Sequence, residues 1–289
     1  AASDVYKRQD KVTVYTCYVT NSNKELLGYV SLRVIVTSEL DVKIKDLVYE
    51  DVITVKTTDD QEDVAHKFQK YGFTALPVVD HAYKLVGIIT VDDIMWIIEQ
   101  EATEDFQRIA GTRPDEEDYS KKSAFDLAKN RIPWLMFLMI SGAFTSTILK
   151  SYEDVIETVI ALNMFIPMLT GSGGNAGSQA STLVIRAMAT DDIEPKDWAK
   201  VVLKEISVGI ICGLVLAIIA FLKCYLFDKV PINVALVVAL TIIAIVIMAK
   251  AIGSLLPIIA EKFGADPAIM ASPLITTIVD SLGLIVYFN

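Results

Sequence analysis

Pro267-Ala-Ile-Met-Ala-Ser-Pro-Leu-Ile-Thr-Thr-Ile-Val-Asp280-Ser-Leu-Gly-Leu-Ile-Val-Tyr-Phe-Asn289 is an apolar run that carries one charge, Asp280. The run is long enough for the roughly 18 to 20 residues that a helix needs to cross a bilayer. A carboxylate at that depth costs about 2.5–3.5 kcal/mol on insertion scales and persists where it faces protein, water or an ion. Its local alternative is an ion pair, and Lys250, at the end of the preceding apolar run, is the candidate partner. Pro273 frees backbone carbonyls about one turn or more before Asp280.

A second apolar run contains Pro167-Met-Leu-Thr-Gly-Ser-Gly-Gly-Asn-Ala-Gly-Ser-Gln179. A helix with Pro167 followed by Gly171, Gly173, Gly174 and Gly177 can bend or partly unwind. Carbonyls exposed in this way are tolerated at membrane depth only where they line a watery cavity or are covered by protein. The same glycines suit close helix packing, and the residues alone leave the two readings open. Ser172, Asn175, Ser178 and Gln179 add side-chain oxygens. Carbonyls, amides and one carboxylate form the donor set that a hard, largely hydrated cation such as Mg²⁺ prefers. The two segments together read as a path for a cation.

The wider composition divides the chain. Hydrophobic residues make up 53% of it and the mean hydropathy is +0.46, yet the net charge is -10. Residues 1–130 hold 24 of the 36 acidic and 16 of the 26 basic side chains, so the negative charge is concentrated there. This predicts an acidic soluble module followed by a membrane domain, and offers no basic footprint for nucleic acid. Five apolar stretches follow: 132–149, 158–185, 206–222, 230–249 and 267–289. With the soluble module inside, the inner loops hold Lys129, Arg131, Arg186, Lys196, Lys200, Lys204 and Lys262. The outer loops hold only Lys150, Lys223 and Lys229, the bias of the positive-inside rule. An odd number of spans then places the C-terminus outside the cytoplasm.

Cys17, Cys212 and Cys224 form no Cys-x-x-Cys pair, so neither a disulfide framework nor a zinc site is indicated. Ala1 to Gln9 fits neither the strand pattern that follows nor a targeting signal, and is expected to be a non-native extension on a fragment.

The soluble part contains a repeat. Glu25-Leu-Leu-Gly-Tyr-Val-Ser-Leu-Arg33 aligns with Lys84-Leu-Val-Gly-Ile-Ile-Thr-Val-Asp92, 59 residues later. Each copy runs from an alternating strand through Gly and Ser/Thr into a helix, with the hydroxyl placed as an N-cap. The second copy is complete: strand 52–55, helix 61–71, strand 75–79, strand 85–90 and helix 92–102. Ser123 to Asn130 reads as part of an amphipathic connecting helix, separated from the preceding one by Gly111 to Pro114.

The repeat resembles a cystathionine-beta-synthase (CBS) domain pair, on the strings Gly72-Phe-Thr-Ala-Leu-Pro-Val-Val-Asp80 and Gly87-Ile-Ile-Thr-Val-Asp-Asp93. The resemblance implies ribose contacts at Thr90 and Asp93, and so a possible ATP site. A plain helix cap is the other reading of Thr90. In the first copy Val34 stands where Asp93 stands in the second.

The strings Pro167 to Gln179 and Asp266 to Asp280 resemble the signature spans of the MgtE family of magnesium channels. That resemblance implies a homodimer in a prokaryotic inner membrane, with a CBS pair, a connecting plug helix and five spans. It also implies ion selection by Asp280, helped by Asn175, Gly173, Gly174, Ser272 and Thr276. The family has Asn before the proline and Ala near position 276, where this chain has Ser272 and Thr276.

The expected architecture is an α+β cytosolic CBS module followed by an all-α membrane domain of five transmembrane helices. Its divisions are 10–44, a partial first CBS domain; 45–111, the second; 112–131, the connecting helix; and 132–289, the membrane domain. Asp80, Asp92, Asp93, Glu99, Glu101, Glu104 and Asp105 form an acidic group. In two facing subunits these carboxylates repel, and bound Mg²⁺ would draw the lobes together and favour closure. Their plainer reading is a solvated surface. The alternative is a CBS-regulated secondary transporter of another divalent cation or an anion; a basic pore residue would favour the anion, and only Lys250 is available. The spans lack histidines, a His-Glu-x-x-His motif and a nucleophile elbow, so no enzyme is expected.

Overall fold

A computed structural model describes residues 15–115, 117, 119–270 and 272–289, with the side chains of Thr158 and Ser272 excluded. The expected extension, residues 1–9, lies outside the described residues, as do positions 10–14 of the partial first CBS domain. The chain divides into two compact units between Thr103 and Glu104.

In the first unit, β1 (Thr16–Thr20) pairs antiparallel with β2 (Leu26–Ser31), which runs into α1 (Leu32–Thr37). A second sheet has the order β3 (Val55–Lys56), β4 (Ala75–Val79), β5 (Leu85–Thr90), with β3 parallel to β4 and β4 antiparallel to β5. Between β3 and β4 lies α2 (Gln61–Tyr71), and α3 (Val91–Ile109) follows β5. The expected strand 52–55 is confined to Val55–Lys56, because only these residues reach β4 for pairing. The helix expected over 92–102 continues to Ile109.

Local chemistry sets these boundaries. Asp60 caps α2 by accepting from the Glu62 N–H, and Gly72 closes it with φ +65°. One face of α2 supplies Val64, Ala65 and Phe68 to a core completed by Val55, Leu76 and Ile94.

The repeat is visible as a local two-fold relation. Glu25 and Lys84, equivalent positions 59 residues apart, form an antiparallel bridge with each other. Leu26 N–H donates to the Tyr83 carbonyl, and Leu85 N–H to the Lys24 carbonyl. The two equivalent turns are built alike. Asn21 Oδ1 accepts from the Asn23 and Glu25 N–H groups, and Asp80 Oδ1 from those of Ala82 and Lys84. Lys24 and Tyr83 both take a positive φ, 65° and 59°.

In the second unit, α4 (Ala124–Ser151) is one helix, so the connecting segment and the first apolar stretch are continuous. A short α5 (Glu153–Thr158) and a 3-10 segment, Ile160–Phe165, lead to α6 (Ile166–Ala189). Then come α7 (Trp198–Leu222), α8 (Ile232–Lys262) and α9 (Ser272–Phe288). Three helical stretches among the described residues are long and apolar enough to cross a membrane: Ala124–Ser151, Pro195–Phe227 and Ile232–Lys262. Pro273–Phe288 is a shorter apolar helix.

The possible unwinding at the glycine string does not occur. The helical break lies earlier, and Pro167 sits in the first turn of α6, where its missing N–H has no helical partner to lose. Gly171 to Gly177 stay α-helical because packing compensates for their poor propensity. A Cβ at Gly173 would come 2.5 Å from Ile245 Cγ2, one at Gly174 would come 2.8 Å from Thr276 Cγ2, and one at Gly177 would come 2.7 Å from Ile275 Cγ2. On α8, a Cβ at Gly253 would come 2.3 Å from the Gly177 carbonyl oxygen. The glycines thus let α6 approach α8 and α9 closely, around a core that includes Leu169, Ala176, Ile242, Ile245, Ala249, Ile275 and Val279.

Lys250 is buried at the contact of α8 with α7, where its Nζ lies 3.4 Å from Glu205 Oε2. Their side chains are 6% and 16% exposed. Removing one member leaves the other charge without compensation. Lys250→Met or Glu205→Gln alone is therefore expected to cost about 3–5 kcal/mol in equilibrium unfolding from detergent micelles, with Lys250→Met/Glu205→Leu recovering most of it. Single variants as stable as the parent would show that the pair contributes nothing. Gly253→Val should sharply lower the thermal midpoint, since the opposing atom is backbone. Gly142→Ala on α4, where no neighbouring atom lies within 4 Å, should leave it unchanged or raise it slightly.

Candidate ion pathway

Asp280 projects from α9, and its Oδ1 is buried with no hydrogen-bond partner among the described residues. The two flanking residues are committed in other directions. Val279 is fully buried and fills the space beside Gly173 and Gly177 of α6. Ser281 Oγ lies 2.7 Å from Thr145 Oγ1 of α4. The expected local partner is engaged elsewhere, since Lys250 is bound to Glu205.

The other predicted residues separate by face. Thr276, one turn before Asp280, packs on Gly174, and its Oγ1 lies 3.4 Å from Ser178 Oγ. Gly173 and Gly174 are buried in the α6 contact, whereas Asn175 and Gln179 are exposed on one stripe of that helix at i, i+4 spacing. Gly173 and Gly174 are thus brought to α9 by close packing rather than by an unwound loop. The Ser272 side chain lies outside the described residues. Ser181 Oγ donates to the Met270 carbonyl, tying α6 to the segment that leads into α9.

That segment is anchored by Asp266. One of its oxygens accepts from the Ala268 N–H at 2.7 Å, and the other pairs with Arg108, which also pairs with Glu104. Between α3 and α4 the chain is tightly knit. Gln107 exchanges two hydrogen bonds with the Asp115 backbone, Asn130 donates to the Asp115 carboxylate, and Lys122 lies 2.8 Å from it. Lys122, followed by the Glu117 N–H, holds the Asp115 carboxyl below its ordinary range. Arg108, Glu205 and Thr145 were not singled out in the sequence, because each gains its role from a partner remote along the chain.

In the first unit, Thr90 donates from both its N–H and its Oγ1 to Asp93 Oδ2, at 3.2 and 2.6 Å. The two residues predicted to meet a ribose therefore close the start of α3 on each other. Asp80 closes the turn between β4 and β5, and the Lys84 N–H, with that of Ala82, keeps its carboxyl low. Glu101 accepts from Gln61 Nε2 at 2.6 Å. Glu104 is taken up by Arg108, while Asp92, Glu99 and Asp105 also lie on α3. Among the described residues, no three His, Cys, Asp or Glu side chains gather as a metal site within the chain.

Comparison with known proteins places these elements. Residues 166–289 match the model of the MgtE family, described as divalent cation transporter, and residues 44–100 match the CBS domain. A magnesium transporter MgtE from Thermus thermophilus is 39% identical over 280 residues, covering 97% of this chain and 62% of that protein. The MgtE of Bacillus subtilis is 35% identical over 276 residues, covering 94% of this chain and 60% of the relative. The chain therefore spans about three fifths of the length of these relatives. A crystal structure of the soluble part of a magnesium transporter shares 43% identity over 35% of this chain and 40% of that one, with a TM-score of 0.31. The chain thus combines a CBS domain with a match to the MgtE divalent cation transporter domain, and over most of its length it is similar to magnesium transporters MgtE.

Proposed function

We propose that this chain is a magnesium channel or transporter in which Asp280 binds a hydrated Mg²⁺ ion as it passes the membrane. The observation that carries this reading is the Asp280 carboxylate itself, whose Oδ1 is buried without a hydrogen-bond partner among the described residues. Such a group at membrane depth is costly unless a cation or water reaches it. Mg²⁺ gives up its water reluctantly, so a carboxylate assisted by neutral oxygens suits an ion that keeps its shell. Thr276, Asn175 and Ser272 are the assisting groups, and Gly173 and Gly174 assist by setting α6 directly against α9.

The functional unit is a homodimer with five spans per subunit, formed by α4, α6, α7, α8 and α9. α6 is 24 residues long and, at about 1.5 Å per residue, long enough to cross. α4 buries no side chain within its own subunit, which supports an assembly in which lipid and a second subunit cover it. Two Asp280 side chains near a common axis would concentrate negative potential where the ion passes. The soluble unit is cytoplasmic and the C-terminus lies outside, in keeping with the distribution of Lys and Arg.

Asp92, Glu99 and Asp105 on α3, with the rest of the acidic group, sense internal Mg²⁺ between subunits. Neutralisation of facing carboxylates draws the modules together and favours closure. Binding of ATP would require Thr90 and Asp93 to exchange their mutual hydrogen bonds for ribose contacts. An anion pathway is disfavoured because the Lys250 charge is matched by Glu205.

In proteoliposomes, Asp280→Asn and Asp280→Ala are expected to abolish Mg²⁺ flux while the protein still inserts and dimerises. Flux at the parental rate from either variant would remove Asp280 from the pathway. Neutralising Asp92, Glu99 and Asp105 together should sustain flux at internal Mg²⁺ concentrations that shut the parent. Unchanged gating would leave these residues as solvated surface.

A further inference from the structure

Hydroxyl side chains in an apolar helix usually satisfy themselves on their own backbone. Toward the C-terminal end of α4, Ser146 donates to the Gly142 carbonyl at 3.3 Å and Thr147 to the Ala143 carbonyl at 3.1 Å. On α9, Thr277 does the same to Pro273 at 3.0 Å. Thr145 departs from this habit, because its Oγ1 reaches across to Ser281 Oγ at 2.7 Å.

The position of this bridge along α9 gives it meaning. Successive helical residues point about 100° apart, so the directions of Val279 and Ser281 confine that of Asp280. Val279 is locked into the glycine face of α6, and one turn earlier Thr276 meets Gly174 and Ser178. These contacts hold α9 from the α6 side only. The Thr145–Ser281 bridge holds it from α4, immediately beside Asp280. In hydrocarbon, where water competes little, such a bond resists rotation of the helix about its own axis.

We propose that Thr145 is a positioning residue for ion binding: through Ser281 it sets the rotation of α9 and hence the direction of the Asp280 carboxylate. The proposal rests on Asp280 being the ion-binding group. Thr145→Val keeps the shape of the side chain and removes the hydroxyl, whereas Thr145→Ser keeps the hydroxyl. Mg²⁺ concentration at half-maximal flux and the Mg²⁺/Co²⁺ flux ratio are to be measured in proteoliposomes for both variants, for Ser281→Ala and for Thr145→Val/Ser281→Ala.

Thr145→Val and Ser281→Ala should each raise the half-saturating Mg²⁺ by about threefold, the size typical of one interhelical hydrogen bond in a membrane. Thr145→Ser should stay near the parent, and the double variant should shift no further than either single one. Parental half-saturation and flux ratio in Thr145→Val overturn the proposal, as does a change confined to maximal flux. So does a double variant whose shift is the product of the two single shifts. Should Thr145→Val fail to insert, Ser281→Ala with Thr145→Ser decides the question by the same criteria. Asp280→Asn measured in parallel separates the two levels, since parental flux from that variant removes the ion-binding reading itself.

Discussion

Polar groups inside an apolar medium must find partners within the protein, and this requirement organises the second unit. Lys250 finds Glu205. Ser146, Thr147 and Thr277 turn back onto their own helices. Tyr287 donates its hydroxyl to the Leu162 carbonyl, and Ser181 donates to the Met270 carbonyl. Against this background Asp280 Oδ1 is buried without a hydrogen-bond partner among the described residues. In such surroundings an unpaired charge is costly unless water or an ion reaches it.

Close packing is what places that carboxylate. α6 would be a poor helix in water, with glycine at positions 171, 173, 174 and 177. Here the absence of side chains lets Gly177 and Gly253 touch through their backbones, and lets Ile275, Thr276 and Val279 of α9 settle directly on α6. The glycines therefore act by fixing the helix that carries Asp280, and their helical hydrogen bonding stays intact. α7 uses the same device against α8, where a Cβ at Gly209 would come 3.0 Å from Ile247 Cα.

The first unit follows a different economy of structure, since water can satisfy its surface. There the acidic residues are drawn into local tasks: Asp60 caps α2, Asp80 closes a turn and Asp93 closes the start of α3. The equivalence of Asn21 with Asp80 shows that an uncharged side chain performs the turn-closing task equally well.

Sequence alone determined the elements whose signals are local. The alternation in Leu26–Ser31 and Leu85–Thr90, the Asp60 cap, the Gly72 stop and the break at Gly111 each act within a few residues, and so could be read directly. The 59-residue repeat and the single charge in the last apolar run were equally legible, because both are properties of the string. What the string left open was the behaviour of the glycine run, the partner of Lys250 and the surroundings of Asp280. Tertiary structure decided these, because the energy of a buried charge or of a side-chain-free helix face depends on what another helix places against it. Glu205 lies 45 residues from Lys250, and Thr145 lies 136 from Ser281. No local rule connects positions so far apart, and only the packing of α4, α6, α7, α8 and α9 brings them within bonding distance.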